Sequence, residues 1–206
     1  MKNPSRQLLA LGLCCAMLLA AACGSDSDST TYPNSDAGTA SDASTASDTS
    51  NASDATSSTG EPPGMEGMTQ AHNSARASVD PPASPALPAM QWANDVAQQA
   101  QAYAERCSFE HSGTKGLGEN IYASSNAVTP AKVVESWVSE KQNYTYATNS
   151  CTKVCGHYTQ VVWRDSTKLG CGHASCKTNS PFGSGNWEFW VCNYQPPGNY
   201  VGQKPY

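Results

Sequence analysis

An even set of six cysteines confined to the C-terminal half constrains this chain more than any other feature. The 206 residues hold nine cysteines. Cys14 and Cys15 fall inside an apolar N-terminal run and Cys23 ends it, which leaves Cys107, Cys151, Cys155, Cys171, Cys176 and Cys192. An even number in an exported domain argues for three disulfides, because oxidised pairs persist outside the cytoplasm and staple a small core. A zinc site is the competing use of cysteine, but Cys151 and Cys155 have the wrong spacing and no second Cys-x-x-Cys accompanies them. Six cysteines allow 15 pairings, and spacing alone does not choose among them.

The N-terminus carries the export signal. Lys2 and Arg6 precede an apolar run from Leu8 to Ala22 that ends in small residues, which reads as a signal peptide over residues 1–22. A retained membrane helix would need about 20 apolar residues, and this run falls short. Ala20-Ala21-Ala22-Cys23 resembles a bacterial lipoprotein cleavage box, with Cys23 as the acylated residue. Ala20 stands where that pattern prefers Leu, so ordinary cleavage after Ala22 and release is the alternative. Gly24 supplies no acidic signal for inner-membrane retention. The expected location is therefore the cell envelope, at the outer membrane or cell surface, with the membrane reached through lipid on Cys23.

Residues 23–63 are rich in Ser, Asp, Thr and Ala. Asp36, Asp42, Asp48 and Asp54 recur every sixth residue, but the repeat has no apolar face to bury, so the segment reads as a disordered tether. As a coil of about 40 residues it would span roughly 35 Å. The net charge of -5 resides mainly here. Beyond Glu61 the charges nearly cancel and leave no basic stripe, which argues against a nucleic-acid partner.

Residues 64–206 read as one domain. Met65, Met68, Ala71, Ala75 and Val79 recur at helical spacing until Asp80-Pro81-Pro82 stops them. Trp92, Val96, Ala100, Tyr103, Ala104 and Cys107 mark a second helix, with Asn94 and Asp95 in its opening turn. Pro130 opens a third, carrying Val133, Val134, Trp137 and Val138. Tyr158 to Trp163, Lys168 to Cys176 and Trp187 to Cys192 are expected strands, the first and last for their β-branched and aromatic residues. Helices first and strands afterwards predict an α+β fold, an antiparallel sheet covered by helices.

Four segments carry a family resemblance. Gly156-His157-Tyr158-Thr159-Gln160-Val161-Val162-Trp163 and Phe189-Trp190-Val191-Cys192-Asn193-Tyr194-Gln195-Pro196-Pro197-Gly198-Asn199-Tyr200 match two signatures. His72-Asn73-Ser74-Ala75-Arg76 and Gly118-Glu119-Asn120-Ile121 match two shorter motifs. In this order, across residues 64–206, they resemble the CAP superfamily of cysteine-rich secretory, antigen five and pathogenesis-related proteins, and most closely its plant pathogenesis-related branch. The resemblance implies a three-layer α-β-α sandwich with a mainly antiparallel central sheet. It also implies the pairings Cys171–Cys192, between neighbouring strands, Cys107–Cys176, from the second helix to the sheet, and the local Cys151–Cys155.

Carried over by motif, the family's cleft residues are His111, Glu119, Glu140 and His157. Two imidazoles and two carboxylates can hold zinc or another divalent cation, with His as direct ligands and Glu bound directly or through water. They can equally form an acid–base pair or a hydrogen-bonded brace between elements. Bracing with optional, non-obligate metal binding is the preferred reading. A hydrolase also needs a nucleophile beside its base, and Ser112, next to His111 on an extended chain, points the other way. His72 and Arg76 are expected to be structural, and His173, outside every motif, a solvated strand residue.

The resemblance further suggests binding of a sterol or other lipid, with Tyr144 and Tyr146 as the aromatics of a lipid loop, although Cys151 occupies the place of a further aromatic. The rival functions are a metal-dependent hydrolase or peptidase and a secreted antimicrobial or effector protein acting on an extracellular partner. The tail Pro196 to Tyr206 resembles a peptide released from plant relatives. Gln195 replaces the Asp that precedes that peptide, so the tail is expected to be a packed terminus. The anchor is directly testable: Cys23→Ser should move the protein from the membrane fraction to the soluble one, since stable attachment needs the acyl chains on that residue. A wild-type protein that is already soluble with an unmodified Cys23 would refute the anchor.

Overall fold

The computed structural model describes residues 60–206. The expected signal peptide, Cys23 and nearly all of the expected tether lie outside the described residues. The elements are α1 (Met68–Ala77), β1 (Gln91–Trp92), α2 (Asn94–Ala104), β2 (Gly118–Ser124), α3 (Pro130–Ser139), a 3-10 turn (Glu140–Asn143), the short hairpin β3 (Tyr144–Thr145) and β4 (Ser150–Cys151), α4 (Gly156–Val161), β5 (Lys168–Cys176) and β6 (Trp187–Gln195).

The main sheet runs β1-β5-β6-β2, antiparallel except for the two-residue β1, which lies parallel to β5. Strand alternation gives β6 two apolar faces. Trp187, Phe189 and Val191 face α2 together with Ile121, Ala100 and Ala104. Trp190, Cys192 and Tyr194 face a larger core shared with Met68, Val133, Trp137, Tyr158, Val161 and Val162 from α1, α3 and α4 and the residue after it. Helices on both faces make the three layers of an α-β-α sandwich. Gly170 and Gly172 bring α2 against β5: a Cβ at Gly170 would lie 2.1 Å from the Ala97 nitrogen, and one at Gly172 2.3 Å from the Gln101 Cα. Disulfides join Cys107 to Cys176, Cys151 to Cys155, and Cys171 to Cys192, the last two residues standing directly opposite each other in the ladder.

Three expectations change. The segment Tyr158 to Trp163 is not a strand; residues Gly156–Val161 form α4. Its β-branched composition favoured extension, but Tyr158, Val161 and Val162 stand three and four residues apart and all enter the core, which is helical spacing. Trp92 belongs to β1 rather than to the second helix, which begins at Asn94. Helices and strands also interleave, because Gly118 to Ser124 forms the edge strand β2 between α2 and α3.

His72 and Arg76 are structural. Arg76, 2% exposed, donates to the carbonyls of Pro88, Val161, Trp163 and Arg164 and so ties α1 to the end of α4. His72 is fully buried between the Met68 carbonyl at 2.8 Å and the Tyr194 hydroxyl at 2.9 Å. Burial lowers its pKa to about 4, partly offset by the bond to Met68. The unfolded chain takes up this proton near pH 6.5 and the folded one does not, so the stabilisation is full above pH 6.5 and declines as pH falls toward 4. Urea unfolding should show a loss of about 3 kcal/mol from this residue between pH 7 and pH 4. His72→Gln should be less stable at pH 7 and lose less on acidification. An equal acid loss in both proteins would assign it elsewhere.

Candidate functional site

The cleft residues form two separate imidazole–carboxylate pairs, one at the start of β2 and the other between the end of α3 and α4. In the first, Glu119 Oε1 accepts from His111 Nδ1 at 2.9 Å and from the Ser112 amide at 2.8 Å. The loop between them turns through Gly113 and Gly116, both at positive φ. The Glu119 side chain is only 9% exposed, and its second oxygen, Oε2, is buried without a partner among the described residues. A cavity of about 280 Å³ opens here between the 111–119 loop, Gln160 of α4 and Gly198-Asn199 of the tail. The Ser112 hydroxyl bonds Thr114, not His111, so it is not prepared as a nucleophile.

In the second pair, His157 Nδ1 meets Glu140 Oε1 at 2.7 Å. Glu140 Oε2 accepts from the His157 amide at 3.0 Å and from the Tyr158 amide at 3.4 Å. Cys155, at the N-cap of α4, offers no side-chain cap, and Glu140 supplies one from the end of α3 in its place. His157 also stacks on Trp137, with ring planes 20° apart. Among the described residues, no group of three or more His, Cys, Asp or Glu side chains is arranged to hold a metal ion by itself.

The link between the pairs is Asn120, the residue after Glu119. Its Nδ2 donates to the His157 carbonyl at 3.0 Å and to the Tyr194 hydroxyl at 3.0 Å. Tyr194 in turn meets His72 Nε2, while His72 Nδ1 meets the Met68 carbonyl. A carbonyl only accepts, so His72 carries its proton on Nδ1, Tyr194 donates to Nε2, and Tyr194 accepts from Asn120. The direction of the whole chain is fixed.

The expected lipid loop is the β3–β4 hairpin. Tyr144 packs on Tyr158 and donates to Asn149 Oδ1 at 2.8 Å. Burial pushes its pKa up to about 12, helped by Tyr206 and Tyr146. Tyr146 stacks on Tyr206 at 4.6 Å and donates to the Tyr206 backbone oxygen. The tail, expected to be a packed terminus, is held at its two ends, while Tyr200 to Lys204 are exposed. Asn199 bonds Thr159 and the Gly156 carbonyl of α4, and Gly198 donates to Gln160. Pro205 is buried, whereas Val201 is fully exposed.

His173 departs from its expected role. It lies on β5 but is half-buried, bonded through Nε2 to Glu188 Oε2 and lying 4.2 Å from the Trp190 ring. Only the register of β5 against β6 brings these residues together, with Trp190 opposite His173 and Glu188 opposite Ser175. The site geometry predicts an asymmetry between two glutamates. Glu140→Ala should cost about 2 kcal/mol in urea unfolding, because it strips partners from His157 and from the first amides of α4. Glu135→Ala, which breaks only the exposed, solvent-screened pair with Lys132, should leave stability nearly unchanged. Equal losses would contradict the capping role.

The sequence profile of the family described as CAP, the cysteine-rich secretory protein family, matches residues 69–194. Pathogenesis-related leaf protein 4 of Solanum lycopersicum is 44% identical over 141 residues, covering 66% of this chain and 79% of that protein. Peptidase inhibitor 16 of Mus musculus is 41% identical over 143 residues, covering 68% of this chain and 28% of that much longer protein. Among solved structures, Schistosoma mansoni venom allergen-like protein 4 shares the fold at 24% identity, with a TM-score of 0.59 over 71% of this chain and 95% of that one. The crystal structure of NaASP2 with Zn2+ matches at 28% identity, with a TM-score of 0.55 over 69% of this chain and 84% of that one.

Proposed function

Because the chain belongs to the cysteine-rich secretory protein family, we propose that it acts outside the cytoplasm as a binding module whose His/Glu cleft takes up a divalent cation such as zinc. The observation that carries this reading is the buried Oε2 of Glu119, an anionic oxygen without a protein partner beside an imidazole. A buried carboxylate oxygen left unpaired is costly, and a cation offsets that cost. Both histidines also direct Nδ1 at a carboxylate, the arrangement that orients an imidazole to ligate through its other nitrogen. His111 and His157 would then be the direct donors, with Glu119 and Glu140 acting directly or through water, provided that the two pairs, which form no ready-made group of three donors among the described residues, close on the ion. A cation held there would supply a fixed positive charge at the mouth of the 280 Å³ cavity. NaASP2, 28% identical to this chain, is a relative described with zinc, which supports the reading. The disulfides also fit an extracytoplasmic protein.

Lipid binding is the second reading. It is favoured by a cavity of about 270 Å³ between the hairpin, α4 and the tail, with Tyr144, Trp163 and Tyr200 in its wall. Catalysis is disfavoured by the engagement of Ser112 with Thr114.

Titration calorimetry of the full chain with zinc tests the cation. The wild type should bind, and His157→Ala should bind at least tenfold more weakly. Unchanged affinity in His157→Ala would place the cation elsewhere.

A further inference from the structure

Four phenols gather where the β3–β4 hairpin, α4 and the tail meet. Tyr144 lies edge-on to Tyr146 with ring centroids 6.5 Å apart, and it packs on Tyr158 at 6.1 Å. The closest phenol pair among the described residues is Tyr146 with Tyr206, stacked at 4.6 Å with ring planes 23° apart. These two stand 60 positions apart in the sequence. They meet only because the tail returns to the hairpin after its exposed run, Tyr200 to Lys204.

Three features suit this pair to oxidative coupling. An offset stack at such a separation sets carbons of the two rings about 3.5–4 Å apart. The Tyr146 hydroxyl already donates to the Tyr206 backbone oxygen, so an electron lost from that ring releases the proton along an existing hydrogen bond. Tyr146 is also half-buried, with Lys204 Nζ 4.3 Å from its ring centroid, which leaves little room for the phenol of a second molecule.

We propose that Tyr146 and Tyr206 form a modification site, their rings joined by a carbon–carbon bond when a one-electron oxidant of the peroxidase class acts on the protein with hydrogen peroxide. Each phenol loses one electron and one proton and becomes a phenoxyl radical, its spin shared between the oxygen and the ortho and para ring carbons. The para carbon carries the side chain, so the bond forms between the two ortho carbons. The hydrogen on each of those carbons then moves to its own oxygen as a proton, which restores both phenols. The two electrons and two protons removed reduce one hydrogen peroxide to two waters. Coupling turns the rings from stacked to edge-joined, and the exposed run gives the tail slack for that turn. The product ties the tail covalently to the hairpin, so a cut between Tyr200 and Lys204 no longer frees Tyr206.

The dilute full chain is treated with peroxidase and hydrogen peroxide, then reduced, alkylated and digested with trypsin for mass spectrometry. The expected product is a monomer lighter by two hydrogen atoms, with dityrosine fluorescence, in which the peptide 142–153 is joined to the peptide 178–206. Fragmentation should place the bond at Tyr146 and Tyr206. Tyr146→Phe and Tyr206→Phe keep an aromatic ring in the stack but form no phenoxyl, and each should cut the yield at least tenfold. Tyr200→Phe, at an exposed position of the same tail, should leave the yield unchanged. A bond mapped to any other pair of tyrosines, a product that is mainly dimer, or an equal yield in Tyr146→Phe would overturn the proposal. So would a wild type that forms no dityrosine.

Discussion

The interaction on which the rest of the structure depends is the buried hydrogen-bond chain from the Met68 carbonyl through His72, Tyr194 and Asn120 to the His157 carbonyl. Each of its polar residues is almost wholly buried: His72 and Tyr194 are 0% exposed and Asn120 is 1% exposed. Polar groups at that depth must satisfy one another, because a broken link strands a donor or acceptor at a cost of about 1–3 kcal/mol. The chain therefore fixes α1, β2, β6 and α4 relative to one another. It also holds the backbone of His157, whose side chain faces Glu140.

This chain explains why four separate motifs occur in one sequence. His72 comes from the first motif, Asn120 from the second, His157 from the first signature and Tyr194 from the second signature. Scattered over more than half of the sequence, they are links in one device. Arg76 reinforces it by binding four carbonyls, two of them at Val161 and Trp163, where α4 ends. Arg76 thus secures the end of α4 while Glu140 caps its start. A helix of six residues has little stability of its own, and α4 persists because both ends are held from outside. The cleft inherits its geometry from these restraints, which were built for packing.

What could be read from the sequence divides along the same line. Periodicity located α1, α3 and most of α2, because each buries one stripe. It missed α4, whose β-branched residues favour a strand and whose helicity depends on Glu140 and Arg76, distant in sequence. It missed β2, since Gly118 to Ser124 becomes a strand only by pairing with β6. At the site, the motif resemblance named His111, Glu119, Glu140 and His157, but no spacing revealed that they act as two pairs. The pairing of His173 with Glu188 was invisible for the same reason: the two residues become neighbours only through strand register.

The central claim, that one directed hydrogen-bond chain organises the domain, fixes the protonation of a single ring. Nitrogen-15 NMR of the imidazoles tests it most directly. The account predicts that His72 is neutral at pH 6, with its proton on Nδ1 and Nε2 unprotonated, as acceptance from Tyr194 requires. A His72 ring protonated on Nε2, or charged at pH 6, would contradict it.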